Sequence, residues 1–254
     1  MKKLIIAVGL VVAVVSATWA QEYKVAKSTG RLDIREVGDV EIEGYGGNEI
    51  IFISRNHNRK DDERAKGLRA ISSLGLEDNT GLGLSVTVNG DVIEVRQLKK
   101  MDGPDVSIKV PKGVIVSYSH TSPYGSDLTL KNMENEIEVS TVHNDVRLEN
   151  VTGPMAVNTV HGDIDASLSA SMKNPISIVS VHGHVDVAMP VTTKANMRLN
   201  TAWGEIFVDP DFKIEFNSQG SMVRYSDNLS GKLNGGGIDI KLSSTHSNVY
   251  LRKK

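Results

Sequence analysis

The later half of the chain repeats one short pattern, and that repeat limits the possible folds more than any other feature. Residues 139–148, 157–166, 178–187 and 199–208 align position for position, and residues 242–251 form a fifth copy. Each copy is an alternating apolar–polar run, a ring residue followed by a small or amide residue, and a second alternating run. The rings step by 18 residues from His143 to His161, by 21 to His182, by 21 to Trp203 and by 43 to His246. A step of 43 is two steps of 21 or 22, so the spacing predicts a degenerate copy at Tyr225-Ser226-Asp227. Stepping back from His143 reaches Tyr124-Gly125, with Leu128-Thr129-Leu130 after it. A period near twenty with strand alternation inside it means either stacked coils of a β-solenoid or a series of hairpins.

The solenoid is the better reading, because each position recurs once per coil and would stack on its own kind at the ~4.8 Å strand spacing. The interior columns would be Val139, Val157, Ile178 and Leu199 before the corner. After it come Val146, Ile164, Val185 and Ile206, then Leu148, Ala166, Val187 and Val208. Thr141, Thr159, Ser180, Thr201 and Ser244 form a column of small hydroxyls, suggesting an internal hydroxyl ladder. A β-sandwich of hairpins is the alternative architecture. Upstream, residues 84–88 and 92–96 alternate around Asn89-Gly90, the signature of an antiparallel hairpin over about 84–97. The charged stretch 56–69 reads as a solvated loop or one short helix, and no helix longer than three turns is evident.

The first twenty residues read as an export signal rather than as part of the fold. Lys2 and Lys3 precede an apolar run over 4–15, and small residues Thr18 and Ala20 sit where a signal peptidase would cut. The run is too short for a comfortable membrane span of ~20 residues. The expected organisation is therefore 1–20 signal peptide and 21–254 one β-solenoid domain. Within it, 21–111 supplies N-terminal strands and a cap, and 112–254 supplies six or seven coils. No transmembrane segment is expected after signal removal. Solenoid ends need caps, and Arg252, Lys253 and Lys254 would discourage end-to-end pairing.

Composition narrows the function classes. The chain of 254 residues has no cysteine, which excludes disulfides, thiolate metal sites and a cysteine nucleophile. A net charge of −2 argues against a nucleic-acid partner. No nucleophile elbow, zinc helix or phosphate-cradling loop is present, so no enzyme and no cofactor are expected. A lone Asn234-Gly235-Gly236-Gly237 reads as a turn before the last strands.

The candidate functional residues are the corner rings Tyr124, His143, His161, His182, Trp203 and His246, as a possible surface-binding ladder. Three readings stand side by side: a stacked ring column that stabilises the corner, a metal site shared by imidazoles of adjacent coils, and a strip that binds carbohydrate or peptide. The residue after each ring is mostly Gly or Asn, which suggests left-handed backbone at the corner.

The corner motif Ser/Thr-Val-His-Gly-Asp-Ile resembles the DUF4097 family of bacterial β-strand repeat proteins, described as candidate adhesins. Residues 38–44, 108–114, 140–148, 158–166, 234–237 and 243–251 carry the resemblance, which covers about 31–253. Family members usually place Asn where this chain has His143, His161 and His182. The resemblance implies a right-handed parallel β-helix, exported to the periplasm or cell surface, without an established activity. The leading expectation is a non-enzymatic binding or scaffold protein whose partner, an envelope polymer or protein, is unknown. An envelope-stress or regulatory protein and a carbohydrate-active enzyme on a β-helix are the alternatives.

Overall fold

The computed structural model describes residues 21–55, 63–216 and 227–254. The export segment, residues 56–62 of the charged stretch, and Tyr225 with Ser226 lie outside the described residues. The described chain is all-β, its one helical turn being a 3-10 turn at Glu63–Ala65. The first strands are β1 (Glu22–Val25), β2 (Thr29–Arg35), β3 (Val40–Tyr45), β4 (Ile50–Ser54), β5 (Leu84–Asn89), β6 (Val92–Gln97) and β7 (Val106–Pro111). Then come β8 (Gly113–His120), β9 (Leu128–Lys131), β10 (Ile137–Thr141), β11 (Val146–Val151), β12 (Met155–Thr159), β13 (Ile164–Leu168), β14 (Ile176–Ser180) and β15 (Val185–Met189). The last are β16 (Ala195–Thr201), β17 (Ile206–Val208), β18 (Ile214–Phe216), β19 (Asp227–Leu233), β20 (Ile238–Ser244) and β21 (Val249–Lys253).

These strands make two open, mostly parallel sheets facing one another. The ten-stranded sheet runs β1-β4-β7-β3-β9-β11-β13-β15-β21-β17, and the eleven-stranded sheet runs β18-β19-β16-β20-β14-β12-β10-β8-β2-β6-β5. Each coil contributes one strand to each sheet, the arrangement of a β-solenoid. In stacking order the coils are β6–β7, β2–β3, β8–β9, β10–β11, β12–β13, β14–β15, β20–β21 and β16–β17. Antiparallel strands close the flanks: β1 and β4 on one sheet, β5, β18 and β19 on the other.

The expected interior columns form in register. Val139 pairs with Val157, and Val157 with Ile178; Val146 pairs with Ile164, and Ile164 with Val185. Their side chains are buried. Alternation drives this: one face of every strand is apolar, and two such faces turned together leave water behind, each large side chain contributing roughly 1.5–3 kcal/mol.

The stacking order differs from the expected one. The copy at 242–251 does not stack beyond the copy at 199–208. Instead β20 slots between β14 and β16, pairing parallel with both, and β21 slots between β15 and β17. Leu242 thus lies between Ile178 and Leu199, and the described strands between 208 and 238 enter the sheet antiparallel, β19 beside β16 and β18 beside β19. The first coil behaves likewise: β2 lies between β8 and β6, and β3 between β9 and β7. The hairpin at β5–β6 forms, with Gly90-Asp91 as its central pair and Gly90 at φ 61°. Glycine at the first central position with a non-glycine second is the II′ pattern, so the turn sits one residue later than Asn-Gly suggests.

Candidate functional site

The corner rings form one continuous stack. Ring centroids are 5.2 Å apart from His143 to His161, 4.7 Å to His182, 4.6 Å to His246 and 6.5 Å to Trp203, with planes within 13° of parallel. The inserted coil explains the order: His246 stands between His182 and Trp203. All five rings are exposed, and Trp203 most of all at 75%. Tyr124 does not extend the order by one regular coil; it is exposed in the loop 121–127, and the stack begins at His143.

Stacking determines what the column can offer. Each imidazole covers a face of the next, so His161, His182 and His246 present only their edges, while His143 and Trp203 end the row. Rings stacked this way point in one direction instead of converging. Zinc–nitrogen bonds are about 2.0–2.1 Å, so two ligands on one ion must approach closer than these parallel rings do. Among the described residues no group of three or more His, Asp or Glu is placed to hold a metal ion. His182, between His161 and His246, has its pKa pushed below the ordinary histidine value by desolvation and by both neighbouring rings.

The residues after the rings are small for a reason the sequence reading missed. Neither the rings nor the residues after them have positive φ; left-handed backbone occurs at other positions, including Asn132, Asn150 and Asn234 at φ 52°, 55° and 51°. At the ring corners the coils touch backbone to backbone. A Cβ on Gly162 would sit 1.9 Å from the Asn144 carbonyl oxygen, one on Gly183 2.0 Å from that of Gly162, and one on Gly204 2.1 Å from that of Ser247.

The hydroxyl column is buried, but its members do not bond to one another. Thr141 donates to the Asn144 carbonyl of its own corner at 3.3 Å, and the other four each relay between two corners. Ser180 Oγ donates to the Gly162 carbonyl at 3.0 Å and accepts the Gly183 N–H at 2.9 Å. Ser244 donates to the Gly183 carbonyl at 2.7 Å and accepts the Ser247 N–H at 3.1 Å. Thr201 repeats this with Ser247 and Gly204. The ladder of the sequence reading is therefore a hydroxyl–backbone chain, which satisfies corner groups that would otherwise be buried without partners.

Two residues past each ring runs a polar row that also ties coil to coil. Asp145 Oδ1 accepts the Asp163 N–H, Asp163 Oδ1 accepts the His184 N–H, and Asn248 Oδ1 accepts the Glu205 N–H, each at 2.8 Å. The His184 ring lies between Asp163 at 3.0 Å and Asp165 at 3.1 Å. The row continues upward as Asp127, whose carboxyl is pushed above the usual range by burial, then by Asp145 and Asp39.

Sequence reasoning missed His120. It pairs with Thr141 in the sheet, so it occupies the hydroxyl column one coil above, fully buried. Glu36 Oε2 is 4.0 Å from its Nε2, while that carboxylate accepts the Thr121 N–H, the Thr121 hydroxyl and the Ser122 N–H. Burial holds the His120 pKa below the ordinary value, opposed by Glu36. One step of 21 back from Thr141 lands on His120, so the repeat itself carried the signal. On the opposite corner an open trough of about 620 Å³ is lined by Tyr45, Lys112, Asn132, Asn150, Thr152 and Lys173, among others; the sequence did not single it out.

The sequence model of the family Toastrack DUF4097 matches residues 120–252. No protein of curated function matches the chain. A solved structure described as a candidate cell adhesion protein from Clostridium sporogenes is similar at 12% identity and TM-score 0.46, over 93% of this chain and 100% of that one. A candidate adhesin from Bacteroides fragilis is similar at 10% identity and TM-score 0.33, over 94% of this chain and 98% of that one.

Proposed function

Because the chain belongs to the Toastrack DUF4097 family, we propose that it is an exported, non-enzymatic binding protein of the bacterial envelope or cell surface, whose ring column is its contact strip. One observation carries this reading: a stack of four imidazoles and an indole exposed along a body whose coils are bonded to one another at every level. The polar groups a catalytic reading would recruit already have backbone work. Asp145, Asp163 and the column hydroxyls hold neighbouring coils together, which favours display over chemistry.

Export rests on residues 1–20, with their basic start, apolar run and small residues before Gln21. Two sheets that run from β1 to β21 support treating 21–254 as one domain. The coils are taken to wind right-handed, as strand–crossover–strand connections do in nearly all proteins. Among the described residues no helix is long and apolar enough to cross a membrane.

The test is retention of purified protein on insoluble envelope polymers, beginning with peptidoglycan and glycan supports. His161→Asn should fold normally, because both residues suit this corner, yet retention should fall at least fivefold. Equal retention of the variant would make the column a purely structural device.

A further inference from the structure

Resting on the reading of the ring column as a contact strip, we propose that its ligand is a linear, neutral glycan of equatorially linked pyranoses, held with one sugar unit per coil. The geometry sets three conditions on a ligand. First, His161, His182 and His246 each have both faces covered by neighbouring rings and His143 has one face covered, so along its length the strip offers ring edges at intervals of 4.6–5.2 Å. An extended ligand must then bring a polar group to the strip at that interval; one pyranose in an extended chain has about this length, and although alternate units are turned over, each presents hydroxyls along either edge of the chain. A compact ligand would meet one or two rungs and gain nothing from the rest.

Second, each rung pairs an imidazole edge with a polar group two residues on. Asp145 and Asp163 spend Oδ1 on the next coil's N–H, and Oδ2 takes no hydrogen bond among the described residues. A neutral imidazole carries one donor and one acceptor, and a carboxylate accepts. Sugar hydroxyls, which both donate and accept, match that mixed set.

Third, the flanks select on charge. Asp127, Asp145, Asp163 and Glu205 lie along one side of the column; Asp163 and Asp165 face the His184 ring. The other side, on the eleven-stranded sheet, carries the uncharged Ser140, Asn158, Val179, Ser243 and Asn200 in register. Carboxylates so close to the strip repel a polyanion. Trp203 ends the row and makes five places in all.

Calorimetric titration of the purified protein with β-1,4-linked N-acetylglucosamine and glucose oligomers of one to eight units tests this. Affinity should rise several-fold with each added unit up to five and then level off. Fragments of β-1,4-linked glucuronate of matching length, with the same equatorial linkage and a carboxylate on every unit, should bind at least tenfold more weakly. Affinity that ignores chain length, glucuronate binding as tight as the neutral series, or no binding of either series overturns the proposal. If His161→Asn still lowers retention on another envelope polymer while these oligomers fail, the contact-strip reading stands and this one alone falls.

Discussion

Between β8 and β15 every coil lies on the coil before it in the chain; at the two flanks of the stack that order is broken. The coil β2–β3 is wedged between β6–β7 and β8–β9, and β20–β21 between β14–β15 and β16–β17. The aliphatic columns run in register through both regions, and the hydroxyl relays of the middle run continue into the C-terminal flank through Ser244 and Thr201. What differs is the length of chain each contact must close. Val139 meets Val157 18 residues on, whereas Met197 meets Ile240 43 residues on. Closing a longer loop costs more entropy before any contact repays it, and non-local pairing slows folding. The middle run can therefore assemble coil by coil, while β16 gains its parallel neighbour only after β20 arrives. Similar side chains thus give two kinds of cooperativity, one local and one tied to an insertion.

The largest expected break comes from removing the inserted coil. Deleting residues 234–254 takes away the buried Ile240, Leu242, Val249 and Leu251, each worth roughly 1.5–3 kcal/mol of burial. Amide hydrogen exchange over 195–208 should become nearly unprotected while 137–168 stays protected. Persistent protection of 195–208 would mean that β16 closes directly on β14 and that the two regions do not differ in this way.

A smaller effect should separate the regions by breadth. Gly162→Ala and Gly204→Ala place a Cβ against the backbone carbonyl of the adjoining coil, a steric conflict of about 1–3 kcal/mol or more. In Gly162→Ala, within the middle run, the urea midpoint should drop for the whole molecule. In Gly204→Ala the loss should be confined to the β16–β19 flank, read by local exchange rates. Identical global shifts would argue for a single cooperative unit.

The finest probe is pH at the junction of the first inserted coil with the middle run. Burial keeps the His120 pKa below the ordinary value of 6.5, so the unfolded chain takes up the proton first. Stability is then complete above the ordinary value and declines as pH falls through it toward the lower folded value. Replacing His120 by Thr, the residue at the same level in Thr141, should flatten the His120 share of that decline in denaturant titrations between pH 7 and pH 5. An unchanged slope would acquit His120 and shift attention to the exposed rings.

Much of this architecture was readable before any coordinates. The column Val139–Val157–Ile178 is fixed by alternation plus a step of 18 to 21, and slipping by one residue would turn every apolar side chain outward. The order of the last two coils was not readable, because Leu242 fits between Ile178 and Leu199 as well as it would fit beyond Leu199; a repeat specifies neighbours of a kind, not which copy. The rings were found as a set, since the corner recurs. The reason for the following glycines was not, because the group that excludes a Cβ, such as the Asn144 carbonyl opposite Gly162, belongs to another coil. His120 escaped notice because histidine does not look like threonine, although it stands in threonine's place.

Stacks of like units usually grow by tandem duplication at an end, where a new copy needs only one existing surface. Here the chain's first and last coils reach inward past their neighbours, so a copy added beyond β6–β7 would meet antiparallel β5 and β4, and one added beyond β16–β17 would meet antiparallel β19 on one sheet although β17 ends the other. Lengthening is simplest where chain order and spatial order agree, from β8 to β15. Evolution or design could extend the histidine row by duplicating a coil there, and the two wedged coils would still mark where the molecule stops.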